Sequence, residues 1–299
     1  MKRISIDVRF QWLKPKLGHE WRGKGRSRKW TQRLVPLSGA IGSKTPGGMW
    51  AYTPPPGLFR KFARLNFAND EWREQGIRAF ADEWGDIIAQ PQEGTERLTT
   101  EVEIIRKHAT METWCRAIQH LSRAVDLWDG INEPKRHKQL RHLFVRRTGA
   151  IVYKRTVYKR TAESGGERYQ WTWDAVPIAT GANVAEFPAG DILRPARKAL
   201  QLEIRDALTD TETPSHATPN LTPELRLVTS PVNLLADMWL TFARLVSGEI
   251  EERPCEMFDS CHEYIYVGSG PRLQRNDTST CSAACRQKKK RLDEDKSSR

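Results

Sequence analysis

Apolar residues recur every three or four positions in five stretches of the chain, as they do along the buried face of a helix. The clearest stripe consists of Trp114, Ile118, Leu121, Val125 and Trp128. The pattern predicts helices over residues 58–65, 70–84, 95–128, 195–208 and 230–247. Asn69 or Asp70 is a suitable N-cap for the second helix, and Gly85 ends it.

Strand signals lie between the third and fourth of these helices. The pentapeptide VYKRT occurs twice, at Val152 and at Val157, and the turn-like ESGG leads into RYQWTW. This arrangement predicts a β-hairpin near residues 150–174. Because side chains alternate between the two faces of a strand, an odd repeat period places the two copies on opposite faces. One more strand is expected over residues 4–12, so the fold class is mainly α, of the α+β type.

Basic charge is concentrated in separate blocks. The 299 residues include 49 Lys and Arg against 37 Asp and Glu, a net charge of +12. Residues 1–50 and residues 135–160 each carry +10, and the short run RQKKKR follows the last cysteine. Clusters of this kind are typical of proteins that bind polyanions, whereas any single block could simply be a solvated surface.

Four of the five cysteines lie near the C-terminus, as Cys255 and Cys261 and then Cys281 and Cys285. Paired cysteines in a chain without a secretory signal favour a structural zinc site with four sulfur ligands. Two disulfides and four free thiols are the alternatives, and His262 is an alternative ligand to Cys261. Cys115 lies in an apolar helical pattern and is expected in the core.

The residues around the cysteines predict a small finger. A strand-like run over residues 263–267 and a Gly/Pro turn are long enough for a hairpin between the two pairs. Thr280 is a plausible N-cap, and a helix beginning there would carry Cys281 and Cys285 on one face. A hairpin followed by a helix that bears ligands is a treble-clef-like arrangement.

These patterns divide the chain into four parts. We expect a basic N-terminal arm with one strand over residues 1–50 and a mainly helical body over residues 51–250, in which residues 210–223 form a polar linker. A zinc-finger module follows over residues 251–291, and residues 292–299 form a polar tail. No apolar run approaches the ~20 residues that span a bilayer, and residues 1–16 lack the apolar core of a signal peptide. A cytoplasmic protein without a membrane partner is therefore expected.

Several segments occur in an order known from a bacterial protein family. They are GLFRKFARL, IRAFADEWGDI, WCRAIQHLSRAVDLWD, PVNLLADMWLTFARLVSG, RPCEMFDSC and CSAACRQKKKR. Over residues 52–129 and 231–291 the chain resembles the CGNR zinc-finger proteins, in which a helical region precedes a small zinc finger thought to bind DNA in transcription regulators. The resemblance implies that Cys255, Cys261, Cys281 and Cys285 bind one structural Zn²⁺. It departs from the family in two places: CEMFDSCH stands for the CxxCG knuckle, and Cys285, Arg286 and Gln287 stand where the family has Cys-Gly-Asn-Arg.

The leading functional hypothesis is a DNA-binding transcription regulator. Five residues would contact phosphates of DNA, which is favoured over RNA, namely Arg286, Lys288, Lys289, Lys290 and Arg291. The helical body would supply homodimerisation or sense a signal. An adaptor whose finger binds a protein partner is the first alternative. A nucleic-acid-processing enzyme is the second, but the chain has no Walker loop, HExxH, GxSxG or HxE with PCxxC, so no catalytic residue is predicted.

Overall fold

In a computed structural model the fold is of the α+β class, and helices contain more of the described residues than strands do. The structure describes residues 12–15, 18–22, 33–36, 49–65, 70–88, 109–163, 166–209, 217–221, 227–231, 233–268, 272–275 and 277–297. Its helices are α1 (Leu58–Ala63), α2 (Asp70–Trp84), α3 (Met111–Asn132), α4 (His137–Leu143), α5 (Leu193–Thr209), α6 (Leu234–Val246), α7 (Phe258–Cys261) and α8 (Ala283–Ser297). Single 3₁₀ turns cover Pro134–Arg136 and Gly181–Glu186. Among the described residues no helix is long and apolar enough to cross a bilayer.

Short antiparallel sheets join these helices. The strands are β1 (Trp12–Pro15), β2 (His19–Arg22), β3 (Arg33–Pro36), β4 (Met49–Tyr52), β5 (Phe144–Arg147), β6 (Ala150–Glu163), β7 (Gly166–Thr180), β8 (Ala217–Leu221), β9 (Leu227–Pro231), β10 (Ile250–Pro254) and β11 (Tyr264–Gly268). Strands β5, β6 and β7 form one three-stranded sheet. The other strands pair two by two, as β1 with β4, β2 with β3, β8 with β9 and β10 with β11.

Aromatic side chains from three helices form the centre of the main core. Trp114 of α3, Trp239 of α6 and Phe59, Phe62 of α1 are almost fully buried. Phe62 lies 5.9 Å from Trp114 between ring centroids, and Phe59 lies 5.3 Å from Phe242. Offset and tilted contacts of this kind are the arrangements that aromatic rings prefer. Cys115 belongs to the same core, as predicted.

The predicted helices are present, but two of them begin later than their patterns suggested and one begins two residues earlier. Helix α3 starts at Met111, because the Thr110 hydroxyl accepts a hydrogen bond from the Thr113 amide. The earlier part of the expected helix, residues 95–108, lies outside the described residues. Helix α6 starts after Asn233, whose side chain accepts from the Ala236 amide. The expected start at residues 230–231 lies in strand β9. Helix α5 starts at Leu193, whose amide donates to Asp191.

Strands also occupy segments where the sequence predicted irregular chain. The arm was expected to contain one strand, over residues 4–12, of which only Trp12 lies within the described residues. Strands β2 and β3 nevertheless lie in that arm, where His19 and Leu34 are buried. Asp82 of α2 accepts a hydrogen bond from the His19 amide at 2.6 Å. Strand β8 lies in the expected linker, and the expected polar tail is helical to Ser297.

The hairpin predicted near residues 150–174 is confirmed as β6 and β7. Ile151 and Tyr153 on its inner face are buried beside α3 and α5. The inner face also carries Arg155, which contacts Glu203 of α5 at 3.5 Å. Glu203 is 1% exposed and also lies 2.7 Å from His120 and 3.1 Å from Arg123, both on α3. A carboxylate with three basic neighbours therefore holds α3, α5 and β6 together.

Candidate metal centre

The first cysteine pair lies in the connection between strands β10 and β11. Cys255 directly follows β10, and its amide donates to the Glu263 carbonyl at 3.1 Å. The four-residue helix α7 then places Cys261 at its last position, and His262 turns the chain with a φ of 53°. The strand that pairs with β11 therefore precedes the first cysteine. The sequence had predicted a hairpin between the two pairs.

The second pair lies at the start of α8. The Ser282 side chain accepts a hydrogen bond from the Cys285 amide at 3.2 Å, so Ser282, not Thr280, is the N-cap. Cys281 stands just before the cap and Cys285 in the first helical turn. The two sulfurs are 3.5 Å apart.

The four sulfur atoms together have the dimensions of a metal site. All four lie within 4.8 Å of one another, and the Cys261 and Cys281 sulfurs are 3.9 Å apart. Four sulfurs at ~2.3 Å from one tetrahedral ion lie ~3.8 Å from each other. All five cysteines are free thiols, so the expected alternative of two disulfides is wrong for this structure. The four could hold one metal ion.

Backbone amides orient the sulfur of the most deeply buried cysteine of the cluster. Cys255 is 2% exposed, and its sulfur accepts hydrogen bonds from the amides of Met257 at 3.4 Å and Cys281 at 3.3 Å. Hydrogen bonds of this kind orient a ligand and offset its negative charge. His262 is exposed and packs against Phe258. Within the described residues the ligand group contains Cys261 and not His262.

The local surroundings shift the pKa of three thiols of the cluster, in different directions. Burial raises the pKa of the Cys261 and Cys281 thiols. The Ser282 hydroxyl, by contrast, lowers the pKa of the Cys285 thiol. A divalent ion bound here would supply the positive charge that lets all four bind as thiolates, and its binding would release protons.

Strand β11 belongs to two hydrophobic cores at once. Ile265 and Val267 point to the cysteines and form, with Cys255 and Cys285, a small separate core. Tyr266, one residue away, is buried in the main core, where it lies 5.9 Å from Phe59. The period of two along a strand produces this division. The metal centre therefore shares one strand with the helical body.

Arg60 of α1 fixes the cysteine module to the body. Its guanidinium donates two hydrogen bonds to Asp129 of α3, at 2.9 and 3.1 Å, and two to Glu252 of β10, each at 2.5 Å. Tyr266 donates its hydroxyl proton to the same Glu252 carboxylate at 2.7 Å. Tyr264 places its ring 4.7 Å from the guanidinium carbon. Because Arg60 donates two hydrogen bonds to each carboxylate, these ion pairs are stronger than pairs joined by a single hydrogen bond.

A second bidentate pair and a glycine complete the contact. Arg272 donates to both carboxylate oxygens of Asp237 on α6, at 2.7 and 2.9 Å, and to the Pro54 carbonyl at 3.3 Å. A Cβ atom at Gly57 would lie 2.6 Å from the Tyr266 ring, so only glycine allows this approach. The module therefore packs tightly on the body.

The five basic residues predicted to contact phosphates lie on the first two turns of α8. Lys289 is paired with Glu256, and Lys290 lies 3.7 Å from Glu294. Arg286, Lys288 and Arg291 are exposed, and no carboxylate in the described part of the chain pairs with them. These three are the ones available to a partner.

Sequence patterns did not identify the residues that hold the module in place. Arg60 stands in a short apolar helix, and its partners Asp129 and Glu252 are 69 and 192 positions away. No local spacing links residues so far apart. In the sequence, the one indication was a pair of adjacent acids, Glu251 and Glu252, near an alternating strand pattern. Such acids favour a cation as their neighbour in the fold.

Comparison with known proteins adds no assignment. No family model matches the chain, and no curated protein or solved structure resembles it significantly.

Proposed function

We propose that this protein binds nucleic acid through a finger folded by one structural zinc ion. Cys255, Cys261, Cys281 and Cys285 are its ligands, and the convergence of their four sulfurs is the observation that carries the proposal. Four sulfur ligands fill a tetrahedral zinc site and leave no position open for a substrate. Zinc is preferred to softer or redox-active ions because it is the usual occupant of such sites.

The finger is treble-clef-like in its second half. Its last two ligands come from the start of a helix, and its first two from the turn that connects the two strands of a β-hairpin. Here the turn lies inside the hairpin rather than before it. The resemblance to CGNR zinc-finger proteins extends the proposal to a cytoplasmic transcription regulator that binds DNA. A reducing cytoplasm keeps such thiols available to the ion.

The charge order along α8 supports a polyanionic partner. A helix dipole favours acids in the first turns and bases in the last, each by about 0.3–1 kcal/mol. Helix α8 carries Arg286 at the end of its first turn and Lys288 to Arg291 after it, while Asp293, Glu294 and Asp295 precede Lys296 near its end. Positive charge placed against the dipole, and exposed beside the metal centre, is explained by binding to phosphates. Part of that charge also offsets the −2 of a zinc ion with four thiolates.

Metal content tests the zinc site. We expect one zinc per chain in the wild-type protein purified under reducing conditions, and far less than one in Cys281→Ser, measured by mass spectrometry. Cys115→Ser is the matched control, because it removes a buried thiol outside the site and should keep its zinc. Equal zinc in all three proteins would rule out the assigned ligands.

Salt-dependent binding to a DNA duplex tests the partner. Replacing Arg286, Lys288 and Arg291 by Gln removes three phosphate contacts, and the slope of log K against log salt should fall by ~2.7. A control with Arg194, Arg197 and Lys198 of α5 replaced by Gln removes equal charge elsewhere and should change the slope little. The same slope in the α8 variant and the wild type would mean that α8 is not the contact. Retention of a protein partner after nuclease treatment, without duplex binding, would instead identify an adaptor.

A further inference from the structure

The outer face of the three-stranded sheet is an exposed surface that the metal centre does not use. The face includes Arg147 of β5, Lys154 and Thr156 of β6, and Trp173 and Ala175 of β7, beside the apolar Val145, Val152 and Pro177, as the register and the burial of the opposite face place them. Arg147, Lys154, Trp173 and Ala175 are all exposed. No helix covers the described part of this face.

Trp173 is the unusual member of the outer face. It is 71% exposed, and Leu292 at 43% is the other large exposed apolar residue in the described chain. Trp173 lies opposite Thr156, and the small Ala175 is its neighbour on the same face. Among the described residues no aromatic ring or cation stacks on the indole, and most of the side chain is open to a ligand.

The charge of the outer face is positive. Lys154 is the diagonal cross-strand neighbour of Trp173, a position ~7–8 Å away that long side chains reach. Neither Lys154 nor Arg147 is paired with a carboxylate of the described residues, whereas Arg155 on the inner face contacts both Asp174 and Glu203. Among the side chains that the structure describes, Lys154 and Arg147 thus face solvent, and Asp174 and Glu203 lie on the other side of the sheet.

We propose that the outer face binds single-stranded nucleic acid, with Trp173 stacking on an unpaired base and Lys154 and Arg147 binding phosphates. Aromatic side chains beside a basic groove are the general means of holding single strands, since every base has a flat face. A duplex hides those faces, so a projecting indole has nothing to stack on. The inference rests on the proposed function for the class of polymer and adds a second surface with a different preference.

Binding of zinc-loaded full-length protein to a fluorescent 20-nucleotide oligothymidylate and to a 20-base-pair duplex tests the inference. Stacking contributes ~1–3 kcal/mol per base, so Trp173→Ala should weaken oligothymidylate binding ~5- to 150-fold. Trp173→Phe keeps a ring and should retain most of the affinity. Lys154→Ala should lower the salt slope by ~0.7. None of these changes should alter duplex binding. Asn183→Ala, at an exposed site in the 3₁₀ turn that follows β7, is the control.

The two surfaces can be separated in one experiment. Neutralising Arg286, Lys288 and Arg291 on α8 should weaken duplex binding and leave the Trp173-dependent binding of oligothymidylate intact. If the wild type does not bind the duplex but binds oligothymidylate through Trp173, the role proposed for α8 is overturned. The role of the outer face then stands. Oligothymidylate affinity that is the same in Trp173→Ala and wild type overturns the inference. Trp173-dependent capture of an acidic peptide without oligothymidylate binding would also overturn it, because the face would then serve a protein.

Discussion

Glu203 shows at the scale of one residue how this chain keeps a buried charge. Burial by itself would raise the pKa of its carboxyl group, but a hydrogen bond from His120 and the positive charge of Arg123 lower the pKa to about 2. A carboxyl group in an unfolded chain titrates near 4.5. The charged form is therefore more stable in the folded protein than in the unfolded one.

The depressed pKa of Glu203 predicts acid sensitivity. Its contribution to the free energy of unfolding, about 3 kcal/mol from the difference between 4.5 and 2, is complete above pH 4.5 and is lost as the pH falls toward 2. We expect Glu203→Gln to be less stable than wild type by that amount at pH 7 and by about half of it at pH 3. Urea unfolding at both pH values measures the difference.

The comparison isolates Glu203 because acid removes the metal from both proteins alike. Glu133→Gln is the control, since Glu133 forms an exposed pair with Arg136 and such pairs contribute little. A Glu203→Gln effect that does not change between pH 7 and pH 3 would contradict the assignment.

At the scale of elements, Arg60 joins helix α1 to helix α3 and strand β10. Without the guanidinium, Glu252 would keep only the hydrogen bond from Tyr266, and Asp129 only the 3.7 Å contact with Arg136. Breaking a buried ion pair costs about 3–5 kcal/mol. Arg60 also packs on the Tyr264 ring of β11. One side chain thus stabilises the contact between the helical body and the cysteine module.

A comparison of two adjacent substitutions tests this role. Arg60→Met should lower the free energy of unfolding by about 3–5 kcal/mol in urea at pH 7, as followed by circular dichroism. Lys61→Met removes a cation whose contact with Glu263 is 3.8 Å long and exposed, and it should cost less than about 1 kcal/mol. Similar losses for the two variants would show that the buried ion pairs do not stabilise the contact.

Elements were more predictable from sequence than their ends and their partners. The stripe from Trp114 to Trp128 predicted that α3 is a helix and which of its faces is buried, because its apolar residues recur at helical spacing. The starts of the helices could not be predicted, since more than one residue near each start can serve as the N-cap. Ser230 and Asn233 are both candidates at α6, and Thr280 and Ser282 are both candidates at α8. The spacing of the cysteines predicted the cluster of sulfurs. The strand that pairs with β11 and the partners of Arg60 could not be predicted, because long-range pairing leaves no local pattern.

At the scale of the whole molecule, the two cores differ greatly in size. Among the described residues, the small core contains Ile265, Val267 and Met257 besides the cysteines, whereas the main core contains residues from all the larger helices of the body. So little buried apolar surface does not fold a module by itself, and a metal ion commonly supplies the missing free energy.

Metal removal should therefore unfold the module locally. We expect a chelator under reducing conditions to increase amide hydrogen exchange in residues 255–263 and 277–297, while α3 and α6 keep their protection. Cys281→Ser should show the same pattern without chelator, and added zinc should reverse it only in the wild type. Loss of protection throughout the chain would mean that the two cores unfold as one unit.

Strand β11 has a consequence for anyone who wishes to excise the finger as an isolated peptide. A fragment cut from Ile250 onward would keep Ile265 and Val267 against the sulfurs but would expose the rings of Tyr264 and Tyr266, which the body normally covers. Such a fragment exposes an apolar surface on one side and is prone to self-association. Grafting the finger onto another scaffold therefore requires a host protein with an arginine that pairs with Glu252 and with aromatic side chains that cover the two tyrosines.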